Sequence, residues 1–195
     1  MAAITVSYRT VPSGDELRAM QRLAAAHPAQ ATHATDLPYR LAWSHPAQPG
    51  RVETALWHAG GDLVAWAVWS PIARGVELAA HPDHAAARIP EVLAWGEAHA
   101  GALPAVGTER PSWWVTARAD DAALVSALEA SGFRPETWTM CRYERTLEDE
   151  VPAAALPEGF ALRPLGGAAE VPAYVDAHRA AFGSEYMTTE WRGRT

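Results

Sequence analysis

A chain of 195 residues with 49% hydrophobic content can bury a substantial core, enough for one full domain plus a fragment. Its formal charge of −7 argues against a nucleic-acid surface, which needs clustered Lys and Arg, and all 16 of its basic side chains are arginine. One cysteine excludes an intramolecular disulfide framework, no apolar run reaches membrane-spanning length, and the N-terminus lacks the charged and apolar blocks of a signal peptide; a cytoplasmic protein without membrane or nucleic-acid partners is expected.

Ile4 to Val11 reads as a first strand. It runs into Ser13-Gly14-Asp15-Glu16, a capping-box pattern that predicts a helix with Leu17, Met20, Leu23 and Ala24 facing inward. His33 to His45 predicts a less regular helical segment broken by Pro38. Glu53 to Ala59 and Leu63 to Ser70 flank Gly60-Gly61-Asp62 and predict a hairpin. Between Gly75 and Ala100 the pattern reads as strand, sharp loop and helix. Val76, Leu78 and Ala80 share one side of a two-residue period, and Ile89, Val92, Leu93, Gly96 and Ala100 share one helical face. The helix is expected to start near Ile89, with Pro90 tolerated in its first turn. A loop feeding a helix N-terminus is a natural phosphate cradle, because amide donors and the helix dipole both favour an anion there. Trp113 to Ala117 predicts a further strand, Asp121 to Ser131 a helix stopped by Gly132, and Thr137 to Leu147 a closing strand or hairpin. A hairpin followed by alternating strands and helices predicts an α/β domain through Leu147, with a mixed α+β sheet flanked by helices.

Strand, His81-Pro82-Asp83-His84, loop and helix resemble the central motif of the GNAT superfamily of N-acetyltransferases, whose loop usually reads like HPDHRRRGIG. The resemblance implies that acetyl-CoA is the co-substrate, that Leu78, Ala79 and Ala80 bind its pantetheine through the backbone, and that the loop amides hold its pyrophosphate. Here the three basic loop residues become Ala85, Ala86 and Ala87, the first glycine becomes Arg88 and the second Pro90. Three charges and one amide donor are lost, and Arg88 restores one charge. Asp121 to Phe133 resembles the family's late helix, with Asp121 in the usual asparagine position and Gly132-Phe133 at its end. By that resemblance the cofactor-binding positions are Leu78, Ala79, Ala80, Ala86, Ala87, Arg88 and Asp121. The tyrosine that often protonates the departing thiolate falls on Leu128, which has no proton to donate.

Ile4 to Arg9 is echoed by Phe160-Ala161-Leu162-Arg163, and at the same offset Glu16 and Leu17 match Glu170 and Val171, while Met20 matches Tyr174. This repeat predicts a second copy of the opening strand and helix from Phe160, after a linker at 148–159. The segment 160–195 resembles the beginning of the second domain of tandem family members. A complete second domain would need roughly 100 further residues, so the chain reads as a piece of a longer protein or a truncated gene product. Phe160 to Phe182 is expected to pack against the first domain or, as a homodimer, against another copy of the chain.

Other chemistry is weakly signalled. His81 and His84 lack the cysteine or carboxylate spacing of a zinc motif. Cys141 on a strand reads as a core residue, and no Gly-x-Ser-x-Gly elbow occurs. Trp113 and Trp114 are adjacent, so one can pack while the other borders a groove. Glu77 and Glu109 are the nearest carboxylates for a general base, and neither is assigned; the catalytic residues stay open. Three functional readings result: a working acetyltransferase acting on a small-molecule or peptide amine, a non-catalytic scaffold of the same fold that supports a catalytic second domain, and an interaction module with a different ligand. The second is favoured, because the loop and the tyrosine position have both changed.

Overall fold

Ser13 and Glu16 form the capping box that their spacing predicts: the Glu16 N–H donates to Ser13 Oγ at 3.2 Å, and the Ser13 N–H donates to Glu16 Oε2 at 2.7 Å. The computed structural model describes residues 3–27, 37, 41, 52–71, 73–103, 112–137, 146, 148, 155–183 and 187–194. Within them the box opens helix α1 (Gly14–Ala26), which follows strand β1 (Ile4–Arg9) and buries Met20, Leu23 and Ala24. The Ser13 N–H, then its hydroxyl and the charge of Arg9 at 3.0 Å, hold the Glu16 carboxyl below its usual value of 4.5, with burial opposing them. A lowered native pKa gives stability that is complete above 4.5 and is lost as pH falls through the folded value. Glu16→Gln is therefore expected to lower the urea midpoint at neutral pH, and its deficit should shrink in acid; a deficit that stays constant down to about pH 2 would contradict the assignment.

Strands β2 (Glu53–Ala59) and β3 (Asp62–Ser70) are joined by Gly60 and Gly61, both at positive φ (61° and 98°), as a two-residue hairpin turn requires. Strand β4 (Gly75–Ala80) extends the antiparallel ladder, and the two-residue β5 (Trp114–Val115) joins β4 in parallel. The sheet order is β1-β2-β3-β4-β5, with β1 to β4 antiparallel. The predicted mixed sheet is thus present, although Trp113 to Ala117 contributes only two paired residues.

Alternation sorts the sheet's side chains onto two helical layers. On one face Leu56, Trp66, Val68 and Ala79 pack with Met20, Leu23 and Ala24 of α1 and with Leu37 and Leu41. Trp66 ties this layer together by donating its indole N–H to the Met20 carbonyl at 3.1 Å. On the other face Trp57, Ala65, Ala67, Trp69, Val76, Leu78 and Ala80 pack with helices α2 (Pro82–Gly101) and α3 (Ala122–Ala130). Asp121 caps α3 by accepting from the Leu124 N–H at 3.0 Å, and Gly132 at φ 83° ends it, as the sequence predicts.

The chain divides into two compact units, Met1–Arg134 and Pro135–Thr195. In the second, a 3-10 turn (Ala168–Glu170) leads into α4 (Val171–Phe182), and a short helix α5 (Thr189–Arg194) follows. Arg179 donates to the Met187 carbonyl at 2.7 Å and Arg192 lies 4.8 Å over the Tyr174 ring, which hold α4 and α5 together. The predicted strand at Phe160 to Arg163 does not form: these residues lie outside any strand, with Phe160 and Leu162 exposed. A lone strand has no ladder to satisfy its amides, and the Phe160 N–H donates instead to the Pro157 carbonyl at 3.1 Å. The repeat nevertheless has a geometric counterpart. Arg163 pairs with Glu170 through two hydrogen bonds at 2.9 and 2.7 Å, at the same seven-residue spacing as Arg9 and Glu16, and the Gly166 N–H donates to Glu170 at 2.6 Å. Arg163, and then the Gly166 amide, lower the Glu170 pKa as the Ser13 amide lowers that of Glu16.

The expected helical segment at 33–45, apart from Leu37 and Leu41, lies outside the described residues. So do Glu109 and the core of the expected closing strand at 138–145, with Trp138 and Cys141.

Candidate functional site

The outer edge of β4 and the start of α2 meet where the family resemblance would place a cofactor. The His81 N–H donates to the Val64 carbonyl at 2.7 Å, which fixes the phase of the β3–β4 ladder. Alternate residues bond to β3, so Glu77 and Ala79 face that strand, while Val76, Leu78 and Ala80 turn their amides to the opposite edge. On that edge the Trp114 N–H donates to the Arg74 carbonyl at 2.9 Å, and β5 pairs with β4 only at Gly75 and Val76. Thr116 and Ala117 then leave the ladder. Among the described residues, Leu78 and Ala80 therefore have no strand partner on this edge. Of the three β4 residues singled out from the sequence, two present their amides to it and Ala79 does not. All three residues are buried, main chain included.

Glu77 is half-buried and lies opposite Val68, on the α1 face. Trp113 turns inward, packing edge-on to Phe133 with ring centroids 4.8 Å apart and donating to Glu97 at 2.9 Å. Trp114 is 47% exposed on the opposite face. The adjacent tryptophans divide as alternation predicts.

The start of α2 corrects the sequence reading. The helix begins at Pro82, not near Ile89, and runs 20 residues to Gly101 with Pro90 in its interior. Ala85, Ala86, Ala87 and Arg88 are helical residues, and no loop separates them from β4. The physical cause is local: His81 caps the helix, Pro82 suits its first position, Asp83 complements the dipole, and the Ala-Ala-Ala-Arg run consists of strong helix formers. These start signals stand in the sequence, and in the structure they prevail.

This start offers little to a phosphate. Pro82 has no N–H, the Asp83 N–H donates to His81 Nδ1 at 3.3 Å, and the His84 N–H donates to the His81 carbonyl at 2.9 Å. The first bond requires the His81 proton on Nε2. The Asp83 carboxylate adds negative charge at the same corner, with its side chain 84% exposed. Ala86 and Ala87 are exposed one turn further on, and Arg88 is tied to Glu91 at 2.7 Å rather than turned to the helix start.

His27, His81 and His84 cluster beside this corner, with ring centroids 4.8 Å apart for the first pair and 5.9 Å for the second. Among the described residues no group of three or more His, Cys, Asp or Glu is arranged to hold a metal ion. Leu128 is buried in the core beside Leu124 and serves packing. Asp121 is buried, and among the described residues its Oδ2 has no hydrogen-bond partner. Asp121→Asn should keep the cap, because its amide oxygen can accept from the Leu124 N–H, so it is expected to leave stability nearly unchanged, whereas Asp121→Ala should cost about 1 kcal/mol. Urea unfolding of the two variants checks both; a loss in the Asn variant equal to that in the Ala variant would assign Oδ2 an essential partner.

No protein-family model matches the chain, and no curated protein matches it. Among solved structures, the chain is similar to the crystal structure of a possible acetyltransferase from Clostridium difficile 630, at 12% identity with a TM-score of 0.40, covering 73% of this chain and 98% of that one. Among the described residues no helix is long and apolar enough to cross a membrane.

Proposed function

We propose that the first unit is a GNAT-type acetyltransferase domain that keeps the strand edge for pantetheine and lacks the grip on the diphosphate of acetyl-CoA. The observation that carries this reading is the junction of β4 and α2, where the helix begins at Pro82 with its first N–H groups already bonded within the protein. Further support comes from the order strand, His81-Pro82-Asp83-His84, helix, and from the late helix that runs from Asp121 to Gly132-Phe133. Leu78 and Ala80 present amides to which an extended ligand with secondary amides can bond as a further strand. Asp83 repels the diphosphate that would follow. With Leu128 in place of a proton-donating tyrosine, the domain acts as a scaffold or as a slow enzyme toward an amine acceptor, in the cytoplasm. The repeated Arg–Glu pair at 163 and 170 supports a second copy of the same opening in the second unit.

Ala80→Pro tests the edge. Proline deletes the outward N–H of Ala80 without touching a bond to β3, so binding of acetyl-pantetheine, followed by NMR, is expected to weaken by roughly three- to tenfold, the value of one net hydrogen bond. A folded variant that binds acetyl-pantetheine as wild type does would exclude the β4 edge as its site.

A further inference from the structure

The last turn of α2 holds His99 between two acceptors. Its Nδ1 lies 2.8 Å from the Trp95 carbonyl, and its Nε2 lies 3.1 Å from Glu53 Oε2 at the first residue of β2. A carbonyl can only accept, and so can an ionised carboxylate such as that of Glu53, whose side chain is 51% exposed. A neutral imidazole carries one N–H and can serve only one of these partners. Both bonds form together only when the ring carries two protons. The ring lies against the indoles of Trp95 and Trp69, with centroids 4.4 and 5.8 Å away, and at the C-terminal end of α2, where the helix dipole is negative.

We propose that His99 is a proton-operated latch between α2 and the sheet. Doubly protonated, it ties the end of α2 to β2; when one proton leaves, Nδ1 keeps the Trp95 carbonyl and Nε2 turns a lone pair toward the Glu53 carboxylate, which releases the tie. Glu53 is the charged group that faces the ring from β2, and β3 contributes the uncharged Trp69. One turn away along the chain, Trp95, Gly96, Ala102 and Leu103 are uncharged. The tie needs the Glu53 carboxylate ionised and the His99 ring doubly protonated, and it is lost when either condition fails. Because α2 also carries the corner at Pro82, the latch sets how firmly that helix is seated.

Glu53→Gln inverts the requirement, because an amide N–H can donate to a neutral Nε2. In the full chain, the His99 ring nitrogens are followed by ¹⁵N NMR from about pH 5 to pH 9 in wild type and in Glu53→Gln. Wild type is expected to keep its second ring proton to a higher pH than the variant, and its folded-to-unfolded ratio relative to the variant should fall roughly two- to fivefold across that range. A wild-type deprotonation midpoint equal to or below that of the variant overturns the latch. So does a stability ratio that does not change with pH.

Discussion

Gly96→Ala is expected to lower the stability of the first unit by about 1–3 kcal/mol, although alanine is the better helix former. A Cβ at position 96 would lie 2.7 Å from two atoms of the Trp113 ring and 3.0 Å from Val76 Cγ2. The ring has little room to yield. It packs edge-on to Phe133, lies 6.2 Å from Trp69 and is fixed by its bond to Glu97. Gly101, in the last turn of the same helix, would place a Cβ with nothing within 4 Å and serves as the control. Gly101→Ala should gain up to about 1 kcal/mol from propensity alone. Urea unfolding of both variants separates the close approach from the intrinsic preference, and a stabilised Gly96→Ala would contradict the packing described.

Pro90→Ala is expected to stabilise the unit by about 2 kcal/mol: roughly 3 kcal/mol of interior helix penalty is removed, and up to about 1 kcal/mol of unfolded-state restriction is given back. Pro90 is exposed and interior to α2, so its nitrogen cannot donate to the Ala86 carbonyl, and alanine restores that bond without disturbing the core. The size of the effect reports where the helix begins. In a helix that started near Ile89, Pro90 would occupy the first turn, where its missing N–H has no partner, and its replacement would be close to neutral. A thermal or urea measurement that shows no gain would therefore favour the later start and with it a loop at Ala85 to Arg88.

That helix start is the instructive disagreement between sequence and structure. The capping box at Ser13, the Gly60-Gly61 hairpin, the Asp121 cap with its Gly132 stop and the opposed directions of Trp113 and Trp114 are all legible, because each rests on a short-range rule acting on neighbouring residues. Ala85 to Arg88 aligns with a family loop, although the local signals for helix lie a few residues earlier in His81-Pro82-Asp83. The alternation of Phe160 to Arg163 is legible as a strand pattern, but a strand exists only with a ladder beside it, and no local signal supplies one. The direction of the β4 amides is not legible at all. It depends on the register with β3, which the His81 to Val64 bond fixes across the sheet.

The proposed absence of a diphosphate grip at the start of α2 is tested most directly by calorimetric titration of the full chain with acetyl-CoA and, separately, with acetyl-pantetheine. Two charge-assisted bonds to a diphosphate would be worth about 3–6 kcal/mol, and so would make acetyl-CoA bind at least about a hundredfold more tightly than the shorter ligand. With Asp83 and His84 amides bonded to His81, the two ligands are expected to bind within about threefold of each other. Acetyl-CoA binding about a hundredfold or more tightly than acetyl-pantetheine would contradict it.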